Sequence, residues 1–198
     1  MPWKEKLIIA LDVSDAKKAL DIVDMLGDYA DIFKVGFELF VSSGPKVVGD
    51  IHKKGKRVFL DLKFHDIPNT VSKAAVSASR LGVYMFNLHA SGGSDMMKRC
   101  RDTVSDVCTK EGLAKPKIIG VTVLTSIGGD TLKKEMGITH GVKTHVKHLA
   151  SLAHESGLDG VVASPQEITM IKEHCGKDFL VVTPGIRPSW TPPDDQMR

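Results

Sequence analysis

Phe59–Thr70 reads FLDLKFHDIPNT. Leu60, Leu62 and Phe64 alternate with Asp61 and Lys63, the period of an extended strand, so the two charged side chains share one face. Charges are rarely fully buried unless paired, which makes this an unusual pattern for an interior strand. Asp66 follows, and Pro68 is suited to the first position of a helix. Two carboxylates and an ammonium therefore crowd the end of one strand, the setting in which perturbed pKa values and chemistry concentrate.

Strands and helices alternate on either side of this stretch. Leu7–Leu11 (LIIAL) is a short apolar run ending at Asp12, as in a strand buried on both faces. Ser14 or Asp15 can cap the helix whose Ala16, Ala19, Leu20, Val23 and Leu26 recur at helical spacing before Gly27. Asp31–Phe37 is a second strand with Lys34 inside it, and a helical stretch ends near Gly55. Arg57–Lys63 is the third strand and Pro68–Leu81 a helix. Tyr84–His89 is the fourth strand, followed by a helix carrying Met96, Met97, Cys100 and Val104. Lys117–Leu124 is the fifth strand; a short helix over Asp130–Met136 and another over Val142–His154 come next. Gly160–Ala163 and Phe179–Thr183 are the sixth and seventh strands, and Ser164–Glu167 between them is a capped helix start.

Such alternation predicts an α/β fold with a parallel sheet. Polar residues gather wherever a strand ends: Asp12, Lys34, Asp61 with Lys63, His89, Thr125 with Ser126, Ser164 and Thr183. An open doubly wound sheet collects ligand contacts at one switch point, whereas a TIM (β/α)8 barrel collects them from many strand ends. The barrel is the expected architecture, an open seven-stranded sheet the alternative. Residues 1–198 read as a single barrel domain with about seven strands, lacking the eighth strand and final helix. The expectation is therefore a longer parent chain.

With 198 residues, 42% hydrophobic and 26% charged, the composition is that of one ordinary globular domain. A net charge of +3 without a dense basic run argues against nucleic acid or a membrane surface as partner. The apolar run before Asp12 is too short for a signal peptide or a membrane span. Cys100, Cys108 and Cys175 are odd in number and lack metal-ligand spacing, so reduced thiols in a cytoplasmic protein are expected.

Lys34 joins Asp61, Lys63 and Asp66 in an array of two ammonium and two carboxylate groups. One such pair would be explained by strand-to-strand ion pairing alone. Four exceed what stability needs, because buried pairs often fail to recover their desolvation cost. Carboxylates on both sides favour a charged Lys63, a proton donor rather than a Schiff-base nucleophile.

DLKFHDIPNT, with the early LDV and FKVG, then VTVLTS and the late VTPGIRP followed by DDQ, resembles the bacterial type of orotidine 5′-phosphate decarboxylase from end to end. Asp-x-Lys alone is also found in sister sugar-phosphate decarboxylases; the decapeptide and the Thr-Pro-Gly-Ile-Arg-Pro stretch are more specific. The resemblance implies decarboxylation of orotidine 5′-phosphate to UMP without metal or cofactor, on a TIM barrel that works as a homodimer. It implies that Lys63 protonates C6 of the pyrimidine, that Asp61 lies against the substrate carboxylate, and that Lys34 supports the array and touches the ribose. Asp12 would hold ribose hydroxyls, and Asp66 and Thr70 would reach into the partner's site. Thr125 would contact the pyrimidine, Gln196 would bridge base and phosphate on a closing loop, and Arg187 would bind substrate as well. A phosphate-gripping Gly-Arg pair belongs to the eighth strand, so full activity is expected of a longer chain. The alternatives are a metal-dependent sugar-phosphate decarboxylase of the same superfamily and a chain that only binds nucleotide.

His145 and His148 have a spacing that can bind metal, but the stripe Val142, Val146, Leu149, Ala153 turns them towards solvent. His65 and His89 are expected to pack or hydrogen-bond near the site, and Ser164 to cap a helix. Met96 and Met97 read as one core position and one neighbouring surface position. Gly92-Gly93 and Gly128-Gly129 lack a dinucleotide fingerprint and are read as turns.

Overall fold

Apolar runs too short for helices form the strands, and amphipathic stretches between them form the helices, in a computed structural model that describes residues 3–186 and residue 190. The strands are β1 (Ile8–Ala10), β2 (Ile32–Gly36), β3 (Arg57–Phe64), β4 (Met85–His89), β5 (Lys117–Val121), β6 (Gly160–Val162) and β7 (Leu180–Val182). The helices are α1 (Ala16–Leu26), α2 (Phe37–Ser43), α3 (Lys46–Lys53), α4 (Pro68–Arg80), α5 (Ser94–Glu111), α6 (Gly129–Lys134), α7 (Val142–Glu155) and α8 (Ile168–Cys175).

All seven strands run parallel, and each pairs with its neighbour in sequence, in the order β1-β2-β3-β4-β5-β6-β7. A doubly wound sheet reverses its order at a switch point; this sheet never does. It also curls. Ile32, Phe59, Met85 and Ile119 form an apolar cluster with Ile8, Val162, Leu180 and Val182, so every strand sends an inward residue to one place. A flat sheet could not gather them. The helices cover the outer face over a separate, larger core that includes Phe33, Leu60, Phe86 and Ile118. This is the (β/α)-barrel architecture, and because the strands are parallel, all their C-terminal ends share one rim.

Several elements differ in detail from the sequence reading. The helical stretch expected before Gly55 is two helices, because Gly44 adopts φ 67° and Pro45 follows it. Met96 and Met97 are both fully buried, which corrects the surface placement of one of them: α5 packs against α4 and α7, so its inward arc is wider than one stripe. Ladder pairing in β5 ends at Val121, although Thr122 still donates both N–H and Oγ1–H to Val162 C=O. Asp15, not Ser14, caps α1, its Oδ1 accepting from Lys17 and Lys18 N–H. Ser164 and Glu167 form the expected capping box. Cys100, Cys108 and Cys175 are buried and unbridged, with burial pushing the Cys100 thiol up to about 12. Among the described residues no helix is long and apolar enough to cross a membrane.

Gly160 packs closely against the neighbouring strand. A Cβ there would collide with the carbonyl of Leu180, its register partner on β7. Backbone cannot yield as a side-chain tip can, so Gly160→Ala is expected to cost about 1–3 kcal/mol, read as a lower urea midpoint. An unchanged midpoint would contradict this packing.

Candidate active site

The inner face of the sheet changes character two residues above the apolar cluster. Lys34 follows Ile32, Asp61 follows Phe59 and Asn87 follows Met85, each pair on the same face by the strand period. The floor is therefore apolar and the rim polar. Asp12, just past β1, completes a chain of alternating charge. Lys34 Nζ lies 2.9 Å from Asp12 Oδ1 and 3.7 Å from Asp61 Oδ2, and Lys63 Nζ lies 2.7 Å from Asp61 Oδ1. Gly36 leaves room for this: a Cβ at that position would stand 3.3 Å from Lys34 Nζ. The Lys63 ammonium also lies 5.7 Å from the centre of the half-exposed Phe37 ring, at the start of α2.

Asp61 is the centre of the chain and is buried. Burial by itself would raise its pKa. The Lys63 charge and hydrogen bond, the Asn87 hydrogen bond and the Lys34 charge together outweigh burial and hold Asp61 below the ordinary carboxylate value. Burial lowers His89 at the end of β4, the nearby His65 and Lys63 lower it further, and Asp61 opposes them. The His65 and His89 rings sit 5.2 Å apart.

The alternation of Asp61 and Lys63 is present, but not on a regular strand. Leu60 pairs with Phe86 and Phe64 with Leu88, so three β3 residues face Asn87 alone. Within this bulge Lys63 has φ 43°, the one positive value among the described non-glycine residues. Backbone strain of this kind costs about 1–3 kcal/mol and persists only where the surroundings enforce it. Bulges beside active sites re-aim side chains.

Asp66 stands apart from this chain of charges. It is exposed on the loop after β3, and its Oδ1 accepts the Ile67 N–H at 2.6 Å. The second carboxylate of the chain is Asp12, which lies beside Lys34 rather than Lys63, so among the described residues Lys63 is ion-paired on one side, by Asp61, and not on both. Thr70 is exposed in the first turn of α4, and Thr125 is buried in the turn after β5. A depression lined by His65, Asp66, Ile67, Pro68, Ser91 and Gly92 opens beside the rim. Arg187 and Gln196 lie outside the described residues. His148 is exposed as expected, but His145 is half-buried, and its Nδ1 lies 3.1 Å from His140 Nε2. No cluster able to hold a metal ion occurs among the described residues. Sequence reasoning missed Asn87; the available signal was one amide in the otherwise apolar Met85–Leu88 run.

Curled parallel sheet and charged rim define a class: (β/α) barrels with a lysine–aspartate array at the C-terminal ends of their strands. Comparison with known proteins narrows it. The family model described as orotidine 5′-phosphate decarboxylase / HUMPS matches residues 5–198. An orotidine 5′-phosphate decarboxylase of Moorella thermoacetica is 49% identical over 198 residues, which span 100% of this chain and 79% of that relative. One of Trichlorobacter lovleyi is 50% identical over 195 residues, covering 98% of this chain and 80% of its own. The crystal structure of orotidine 5′-phosphate decarboxylase from Lactobacillus acidophilus matches with a TM-score of 0.82 at 40% identity, over 92% of this chain and 82% of that one. This chain belongs to the orotidine 5′-phosphate decarboxylase / HUMPS family.

Proposed function

We propose that this chain decarboxylates orotidine 5′-phosphate to UMP, the step that completes a pyrimidine nucleotide, with Lys63 as the acid. The observation that carries the reading is the Lys63 ammonium held 2.7 Å from a buried carboxylate at the rim, with a second lysine 3.7 Å from the same carboxylate. Family membership supplies the substrate.

In the reaction the bond from C6 to the carboxylate carbon breaks, its electron pair stays on C6, and carbon dioxide leaves. Lys63 gives one ammonium proton to C6 and takes another from solvent afterwards. Asp61 faces the substrate carboxylate: two like charges about 4 Å apart repel by roughly 4 kcal/mol at an effective dielectric near 20. Enzymes lower barriers by roughly 8–23 kcal/mol, so repulsion is a minor share. The larger contributions come from Lys63 opposing the charge that grows on C6 and from binding energy of the non-reacting phosphate. Asp12 and Lys34 hold the ribose, and Thr125 meets the pyrimidine. Arg187 and Gln196 bind the remainder of the nucleotide. The working unit is a homodimer in which Asp66 and Thr70 serve the neighbouring site.

The proposed chemistry asks nothing of a metal, because the developing charge is met by an ammonium. Turnover of orotidine 5′-phosphate, followed by the loss of its ultraviolet absorbance, is expected to be unchanged in excess chelator. Activity that vanished in chelator and returned with magnesium would favour the sugar-phosphate decarboxylase reading. Binding of UMP without turnover would leave a nucleotide-binding chain.

A further inference from the structure

Asn87 is buried on β4, and both ends of its amide are used on the rim. Its Nδ2–H donates to Asp61 Oδ1 at 2.7 Å, the same oxygen that accepts from Lys63 Nζ. Its Oδ1 accepts the backbone N–H of Lys63, also at 2.7 Å. That second bond falls where the β3–β4 register jumps, so a side-chain oxygen serves an amide inside the bulge. It falls on the residue whose backbone is held in the left-handed region. One carboxamide thus spans the bulge, fastening the backbone of one charged group and the side chain of the other.

We propose that Asn87 is a positioning residue of the decarboxylation: it holds the Lys63 backbone in its left-handed conformation and Asp61 in place, so that the ammonium points into the barrel mouth. The inference rests on the reading of Lys63 as proton donor. A buried asparagine with a merely structural task needs partners, but not these two. The chemistry is also demanding, since a donor and an acceptor are needed at once. Leucine has the volume and neither function; aspartate has the shape but, when ionised, only accepts.

That difference sets the test. Asn87→Leu is expected to lower kcat for orotidine 5′-phosphate about 100-fold, as a small misplacement of a reacting group does, with KM little changed. Asn87→Asp puts two carboxylates within hydrogen-bond reach, and such a pair binds one shared proton at a raised pKa. Once that proton is bound, the pair carries the parent's single negative charge and regains a donor. Acidification from pH 8 towards 6 is therefore expected to raise kcat of Asn87→Asp while Asn87→Leu stays low. Parent-like kcat in both variants, or pH profiles of the two that run parallel, would overturn the proposal.

A second readout needs no turnover. In the parent, Asp61 is held low by Lys63, Asn87 and Lys34 against burial. Without the Asn87 donor its carboxyl carbon, followed by NMR in the free protein, is expected to titrate at higher pH in Asn87→Leu. An unmoved titration would remove the hold on Asp61. If the parent turns over no orotidine 5′-phosphate, the functional reading fails, and the titration still decides whether Asn87 acts on Asp61.

Discussion

Lys63→Ala is expected to lower kcat/KM for orotidine 5′-phosphate by about 10⁴-fold or more, since a positioned acid contributes roughly 10²–10⁴ and the same ammonium also opposes charge on C6. That loss corresponds to about 5 kcal/mol of transition-state stabilisation. Among the described residues the other ammonium of the array, Lys34, is already engaged by Asp12 at 2.9 Å and lies 3.7 Å from Asp61. The fold should survive, because Lys63 is half-buried and lies above the apolar cluster of the barrel floor. Asp61 would lose its nearest cation, and its carboxyl should titrate at higher pH than in the parent. Circular dichroism together with the rate separates lost chemistry from lost structure. A folded Lys63→Ala protein that decarboxylates at the parent rate would refute the role of the acid.

Mixing two inactive variants should restore activity. Asp66 is exposed and bonded to the next residue's own amide, and among the described residues it makes no ion pair. Beside it Ile67 is 66% exposed, and Phe37, next to the Lys63 ammonium, is 54% exposed. Apolar surface around a charged mouth is the kind a partner covers. If Asp66 serves the neighbouring site, a dimer of one Lys63→Ala and one Asp66→Ala subunit carries one site with both defects and one with neither. Random exchange between equal amounts makes half the dimers mixed, so about a quarter of parental activity should return by two-fold symmetry. Each variant alone should remain low. Folded variants that exchange subunits but recover nothing would place Asp66 in its own chain's site, or in none.

The barrel could be read from residue order because its cause is local. LIIAL, KIIGV and FLVVT are too short and too apolar for helices, and the amphipathic stretches between them can cover only the outside of a sheet. The Lys34–Asp61–Lys63 array was visible for the same reason, since period two puts charges on a known face. What depended on pairing between strands was not visible. The bulge that re-aims Lys63 exists only once β3 is set against β4, and Asn87 reads as a stray polar residue until that register is known. The ribose role of Asp12 is what the family resemblance implies, and its ion pair with Lys34 needs β1 and β2 side by side. Helical periodicity marks a single stripe and so divides Met96 and Met97 into core and surface, whereas α5 packs against both α4 and α7 and buries the two together. The break between α2 and α3 was written plainly in Gly44-Pro45.

A crystal structure with UMP bound in the barrel mouth would test the proton transfer most directly. The expected result places Lys63 Nζ about 3–3.5 Å from C6 of the pyrimidine, the separation of reacting atoms poised for transfer, with Asp61 still bonded to it. A Lys63 side chain turned to bulk water, with C6 facing some other group, would contradict it.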